Sequence, residues 1–194
     1  QRIENAIEQA KNDGPSATIR ILKKERPLQA LFQVAEEGVR SLRQSTDDEA
    51  LVGYASLAEE LIESSNKIEK IGAVFIGTSS GTTAQALADY FLKHNSPIQV
   101  HIVQTPSCYP LAQELSPYDG PDEISIAGAI SDKVGHRKSA LIPLIQKTGG
   151  TGLVATNDDI TSAQELARTL AGLEILANSA LSLVGAMKAA YIGH

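Results

Sequence analysis

From Ile71 to Ile76 the chain is almost wholly apolar. It then passes through seven small residues, Gly77, Thr78, Ser79, Ser80, Gly81, Thr82 and Thr83, before Ala84, Leu87, Ala88 and Phe91 repeat at helical spacing. A run that is apolar at consecutive positions, not alternate ones, suits a parallel strand covered on both faces. The pattern recurs downstream. Ile98 to Val103 reads as the next strand, Pro110 opens a short helix, Arg137 to Lys147 makes another, and Gly152 to Val154 lies in a third strand. Ile160, Ala163, Leu166, Ala167 and Leu170 then share one helical stripe, with Asn157 or Asp158 as the cap. Strands alternating with helices predict an α/β fold, a three-layer αβα arrangement with a mainly parallel twisted sheet. Residues 71–155 are expected to form neighbouring parallel strands.

Upstream, Ile3, Ala6, Ile7 and Ala10 repeat at helical spacing up to Asp13-Gly14-Pro15, and Ala17 to Leu22 is a short β-type run. Pro27 suits the first turn of a helix whose stripe is Leu28, Leu31, Phe32, Ala35, Val39 and Leu42. Thr46-Asp47-Asp48-Glu49 fits a capping box with Thr46 as N-cap, and a helix burying Leu51, Tyr54, Ala58 and Leu61 should follow. Gln1 stands inside a helical pattern, so a fragment of a longer protein is expected.

The composition excludes several classes of function. Of the 194 residues, 42% are hydrophobic and 21% charged, an ordinary globular balance. The net charge of −6 argues against nucleic acid or an anionic membrane as a partner, because either needs a basic surface. Leu173 to Ile192 is apolar, but Glu174, Asn178, Ser179, Ser182 and Lys188 interrupt it, so it reads as a buried helix and not a membrane span. A lone cysteine, Cys108, allows no internal disulfide and suits a cytoplasmic setting.

The seven small residues carry the chemistry. A loop joining a strand to a helix start presents unpaired N–H groups and a partial positive charge, which suit a phosphate. Gly77 and Gly81 let the backbone approach an anion, and Thr78, Ser79, Ser80 and Thr82 offer hydroxyls. In an open α/β sheet this place, at the carboxyl end of a strand, is where ligands bind. A plain capped turn uses the same residue types, but five hydroxylic residues in seven exceed what one cap needs. Neither G-x-G-x-x-G nor G-x-x-x-x-G-K-[ST] is present.

Val74 to Thr83 resembles the glycine-rich cofactor-phosphate loop of fold type II pyridoxal-phosphate enzymes, and the flanking segments are most similar to threonine synthases. Gly53 to Leu61 resembles the helix before that strand, and Ile102-Val103-Gln104 the strand after the loop helix. Ile126 to Ile130, Gly149-Gly150, Gly152 to Val154, Asp158 to Ile160, Gly172 to Glu174 and Asn178 to Leu181 follow in the family's order. Ser79 and Ser80 stand where relatives often have glycine. The resemblance spans roughly residues 47–190. It implies a large cofactor-phosphate-binding domain over 46–194, with 1–45 as the tail end of a small substrate domain. It also implies pyridoxal 5′-phosphate held by Gly77 to Thr83, and a homodimer acting on a small phosphorylated or amino-acid substrate. The implied reaction is O-phosphohomoserine to threonine, or a related β/γ-replacement or elimination.

The family's cofactor-bearing lysine usually stands in an "S-x-K-x-R" segment, and none of the ten lysines here has that setting. No catalytic residue is therefore assigned, and this stretch alone is expected to be inactive. A phosphosugar-binding module of the sugar-isomerase type, or a non-catalytic homologue, is the alternative. Ser179 reads as a small residue for tight helix packing, or else as a cofactor contact. Lys133, His136, Arg137 and Lys138 form a basic cluster that reads as a solvated loop and helix start, or else as a contact for an anionic substrate or effector, while His101 reads as a satisfied core or edge histidine and His94 as a surface residue. Cys108 lacks the partners of a nucleophile, and no metal-ligand spacing is present.

Overall fold

The computed structural model describes residues 42–67 and 70–191, with the single upstream positions Gln29 and Gln33. The chain divides into two units, Gln1–Ser41 and Leu42–His194. The elements expected before residue 42, and with them most of the segment assigned to a substrate domain, lie outside the described residues.

Strands β1 (Ala73–Gly77), β2 (Gln99–Gln104) and β3 (Gly152–Val154) form one sheet in the order β1-β2-β3. Both pairings are parallel, with Val74 opposite Val100, Ile76 opposite Ile102, and Ile102 opposite Gly152. The expectation of neighbouring parallel strands holds. Around them run α1 (Glu49–Val52), α2 (Ala55–Lys67), α3 (Thr82–Lys93), α4 (Ala112–Leu115), α5 (Lys138–Lys147), α6 (Asn157–Ala171) and α7 (Ala177–Tyr191).

Alternation along β2 sorts the core into two halves. Val100 and Ile102 face one side, where they pack with Ala58, Ala84, Leu87, Ala88, Phe91, Leu141 and Ile145 of α2, α3 and α5. Val103 faces the other, with Ile160 and Ala163 of α6 and Ala180, Leu181 and Val184 of α7. The result is the three-layer αβα arrangement. Each fully buried Phe, Ile or Leu in these clusters stabilises the fold by about 1.5–3 kcal/mol. α7 lies close on the sheet because Gly185 has no side chain; a Cβ there would meet Val103 Cγ2 at 2.7 Å and Phe75 Cδ1 at 2.9 Å.

Four local expectations change. β1 is only partly buried at all five positions, because among the described residues it pairs on one side only. Thr46 is not an N-cap; its hydroxyl donates to the Arg43 carbonyl (3.2 Å), and α1 begins behind Asp48. A turn at Gly53 and Tyr54 separates α1 from α2, and only Ala58 is fully buried on α2. On α6 the cap is Thr156, one residue earlier than expected, in a reciprocal capping box with Asp159. Ile160, Ala163 and Ala167 are buried there, but Leu170 is 77% exposed.

Candidate anion-binding site

β1 ends where its partner stops helping it. The Gly77 N–H donates to Ser182 Oγ of α7 (3.2 Å), and the Thr78 N–H donates to the Val103 carbonyl (3.0 Å), one last bond to β2. Gly77 sits against α7, where a Cβ would come within 2.8 Å of Leu181 Cβ. The chain then turns sharply. Thr78 Oγ1 accepts the Gly81 N–H (3.0 Å), and Gly81 takes a left-handed φ of 83° as the N-cap of α3. Only glycine adopts that conformation without strain.

This turn leaves a row of donors. Among the described residues, the N–H groups of Ser79, Ser80, Thr82 and Thr83 meet no acceptor, while the Gln85 N–H closes onto the Gly81 carbonyl (2.9 Å). The first N–H groups of any helix lack intrahelical partners and sit at the positive end of its dipole. Here the row continues back into the loop.

The hydroxyls have other work. Thr82 Oγ1 donates to the Gln44 carbonyl (3.1 Å) and accepts from Arg137 Nε (3.3 Å), and Ser80 Oγ lies 3.0 Å from it. A hydroxyl has one proton and two lone pairs. With its proton on Gln44, Thr82 takes Ser80 as donor and is saturated. Ser79 Oγ accepts the N–H groups of Ser131 (3.0 Å) and Asp132 (2.9 Å), which leaves only its proton to give. The loop thus offers mainly backbone N–H groups, and its hydroxyls brace it.

Two side chains that the sequence reading did not single out for this role hold the loop. Gln104, at the end of β2, is completely buried. Its Nε2 donates to the carbonyls of Thr78 and Ser79 (both 3.3 Å), and its Oε1 accepts from the N–H groups of Leu111 (2.9 Å) and Ala112 (3.0 Å). The only sequence signal was a polar residue closing an apolar strand. Arg137 was expected in a solvated loop, and here the structure differs, since only 4% of it is exposed. It donates to the carbonyls of Gln44 and Asp47, to Asp48 Oδ1, to Gln85 Oε1 and to Thr82 Oγ1. Burial follows from those acceptors, which satisfy the guanidinium without water.

The remaining candidates scatter. Lys133 and His136 are exposed, and Lys138 pairs with Glu114 at 2.8 Å. His101 is buried, stacked on Phe75 with ring centres 4.7 Å apart, and its Nδ1 accepts the Thr151 N–H at 3.2 Å, as a satisfied core histidine should. His94 is exposed and stacks on Tyr90. Ser179 is exposed on the first turn of α7, so tight packing there falls to Ala180 and Gly185 instead. Cys108 is buried; burial, and then the Asp132 carboxylate, push its thiol pKa up, away from nucleophilic character. It lies beside a cleft of about 670 Å³ lined also by Ser107, Tyr109, Gln113, Glu123 and Lys133. Among the described residues no cluster of His, Cys, Asp and Glu could hold a metal ion. No helix among them is long and apolar enough to cross a membrane.

A phosphate group fits the N–H groups of Ser79, Ser80, Thr82 and Thr83, which have the right polarity and lack acceptors among the described residues.

The family described as "Pyridoxal-phosphate dependent enzyme" matches residues 14–194. No curated protein matches the chain. Among solved structures it is similar to a pyridoxal 5′-phosphate-dependent aspartate racemase, at 19% identity and a TM-score of 0.62, over 93% of this chain and 55% of that one. It is also similar to the processed form of threonine deaminase isoform 2 from Solanum lycopersicum, at 15% identity and a TM-score of 0.58, over 82% and 46%. A third is a threonine deaminase from T.th., at 18% identity and a TM-score of 0.55, over 73% and 53%. The chain therefore spans about half the length of these structures, 46–55% of each. At such identities the likeness is one of fold.

Proposed function

This chain belongs to the pyridoxal-phosphate-dependent enzyme family, and on that premise we propose that Gly77 to Thr83 holds the 5′-phosphate of the cofactor. The observation that carries the proposal is the set of N–H groups of Ser79, Ser80, Thr82 and Thr83 with no acceptor among the described residues. Gly81 makes the row possible by turning through a left-handed φ. Gly77 lets the loop leave the sheet against α7, and Thr78 closes the turn. Ser79 anchors the loop to residues 131–132 and keeps a proton to donate, while Ser80 and Thr82 brace one another. Thr83 contributes its own acceptor-free N–H group to the row.

When bound, the cofactor supplies the electron sink for amino-acid chemistry. The reading of the whole protein follows from the motifs: a threonine synthase-like lyase, or an enzyme of related β/γ-replacement or elimination on a small amino acid. Similarity in fold to a threonine deaminase and to a fungal L-serine ammonia-lyase supports the elimination arm. The lysine that bears the cofactor, in this reading, stands outside these 194 residues, and they are inactive alone. The protein acts as a homodimer in the cytoplasm, with no nucleic acid or membrane as partner.

Calorimetric titration of the protein with pyridoxal 5′-phosphate, wild type against Gly81→Val, tests the site. Binding should fall by at least about a hundredfold, because the N–H row cannot form without the left-handed turn. Equal affinity in a folded variant would reduce the loop to a helix cap.

A further inference from the structure

We infer that Arg137 is a positioning residue for the anion cradle: it holds the first turn of α3 in place and sets positive charge behind it, without touching the anion itself. This rests on the reading of Gly77 to Thr83 as the phosphate site.

The loop is backed by one segment far away in sequence. Ser79 Oγ takes the N–H groups of Ser131 and Asp132. Gly81 packs so closely on Leu141 that a Cβ would lie 2.6 Å from Leu141 Cδ2. Between these contacts stands Arg137. Its Nε reaches Thr82 Oγ1 (3.3 Å) and its Nη1 reaches Gln85 Oε1 (3.1 Å), so it grips both ends of the first turn of α3. Through Nη2 it also fixes the carbonyls of Gln44 (2.6 Å) and Asp47 (2.7 Å). Gln44 in turn takes the Thr82 proton. The orientation of the Thr82 N–H is thereby set from two directions.

The electrostatics show that this is more than a structural tie. A helix start already carries about half a positive charge, and a cation placed there is disfavoured. The Arg137 side chain is only 3% exposed, yet Asp48, the carboxylate paired with it at 2.8 Å, has a side chain 84% exposed to solvent. Such a screened partner offsets only part of a buried charge. The other acceptors are neutral oxygens of Gln44, Asp47, Thr82 and Gln85. A tie for those oxygens needs donors but no charge. A surplus of positive charge beside a helix start is stabilised by an anion bound at that start, and the acceptor-free row is where one would sit.

The test uses the full chain and two probes that share a ring, pyridoxal 5′-phosphate and pyridoxal. Binding of each is titrated by absorbance, and the ligand-free melting temperature is recorded. Wild type should prefer the phosphorylated probe. Arg137→Gln should cut that preference by about tenfold, the scale of one charge acting through space on a nearby anion. Arg137→Lys should restore part of it, and Gln85→Met should fall between wild type and Arg137→Gln. A purely structural arginine would lower the melting temperature and weaken both probes alike, leaving the preference unchanged, and that result overturns the inference. If Arg137→Gln does not fold, an unchanged preference in both Arg137→Lys and Gln85→Met overturns it as well. Gly81→Val separates the two readings. If it leaves the preference intact, the cradle itself is misplaced. If it abolishes the preference while the Arg137 variants keep it, the cradle stands and the role of Arg137 falls.

Discussion

Replacing Gln104 with leucine should cost about 2–5 kcal/mol of folding stability, the sum of what its buried partners lose. The amide sits in a fully buried position and all four of its bonds end on backbone groups. Leucine has nearly the right volume, so cavity and overpacking terms are small. What changes is polarity. The N–H groups of Leu111 and Ala112 lose their acceptor, and both residues are completely buried. Each buried donor left alone costs about 1–3 kcal/mol. The carbonyls of Thr78 and Ser79, bonded at the longer distance of 3.3 Å, add less, because Ser79 is partly exposed and water can reach it. The apolar gain from leucine offsets a fraction of the total. Urea unfolding measures the change directly, provided the slope with denaturant matches wild type. A midpoint shift equivalent to less than about 1 kcal/mol would refute the reasoning, since it would mean that the 111–112 backbone satisfies itself another way. Gln104→Glu separates the two ends of the amide. Its carboxylate can still accept from Leu111 and Ala112, but it faces the carbonyls of Thr78 and Ser79 without a proton to give. That variant should gain stability relative to wild type as pH falls and the carboxyl protonates.

Other perturbations give further outcomes. Thr156→Ala removes the hydroxyl that accepts the Asp159 N–H and should destabilise by about 1 kcal/mol in thermal or chemical unfolding. At Asp159, burial pushes the carboxyl pKa up, but the Lys188 ammonium and the Thr156 groups outweigh it and hold the pKa below its ordinary 3.8. A depressed folded value means stabilisation that is present above the ordinary value and lost as pH falls through the folded one. The stability gap between wild type and Asp159→Asn should therefore close on acidification below about pH 4, and a gap constant from about pH 7 to about pH 2 would contradict the assignment. The 194-residue chain by itself should not turn over O-phosphohomoserine, threonine or serine, and turnover in a coupled assay would show that one of its own lysines serves. In a crystal grown with sulfate, the ion should lie about 2.7–3.2 Å from N–H groups of residues 79–83.

What the sequence revealed and what it concealed divide along the range of the interactions involved. The run Ile71 to Ile76, the helical spacing of Ala84, Leu87, Ala88 and Phe91, and the run Ile98 to Val103 report burial, which is periodic and local. They gave the parallel sheet and placed the loop at the carboxyl end of β1. Burial could not reveal that β1 lacks a second neighbour among the described residues, because neighbours are a property of the assembled sheet. Caps were legible only to within a residue, since Thr156, Asn157 and Asp158 are all competent and geometry chose the first. The hydroxyls of the loop were expected to face a ligand. Thr82 spends its capacity on Gln44 and Arg137, residues 38 and 55 positions away, and no local pattern announces such partners. Arg137 looked solvated because polar neighbours surround it in sequence, while its acceptors come from the 44–48 turn and from α3.

The distances along the chain that knit the loop together bear on when it can exist. Gly77 is tied to Ser182 across 105 residues, Arg137 to Gln44 across 93, and Ser79 to Asp132 across 53. Contacts of that span form only after loop closure over most of the chain, late in a folding reaction, when the sheet and both helical layers are already docked. A partly folded chain has β1 and α3 but no means of aiming the N–H groups between them. An anion captured by this loop therefore recognises the completed fold alone, and at free concentration L it stabilises the native state by RT ln(1 + L/Kd) with no offsetting affinity for the unfolded chain.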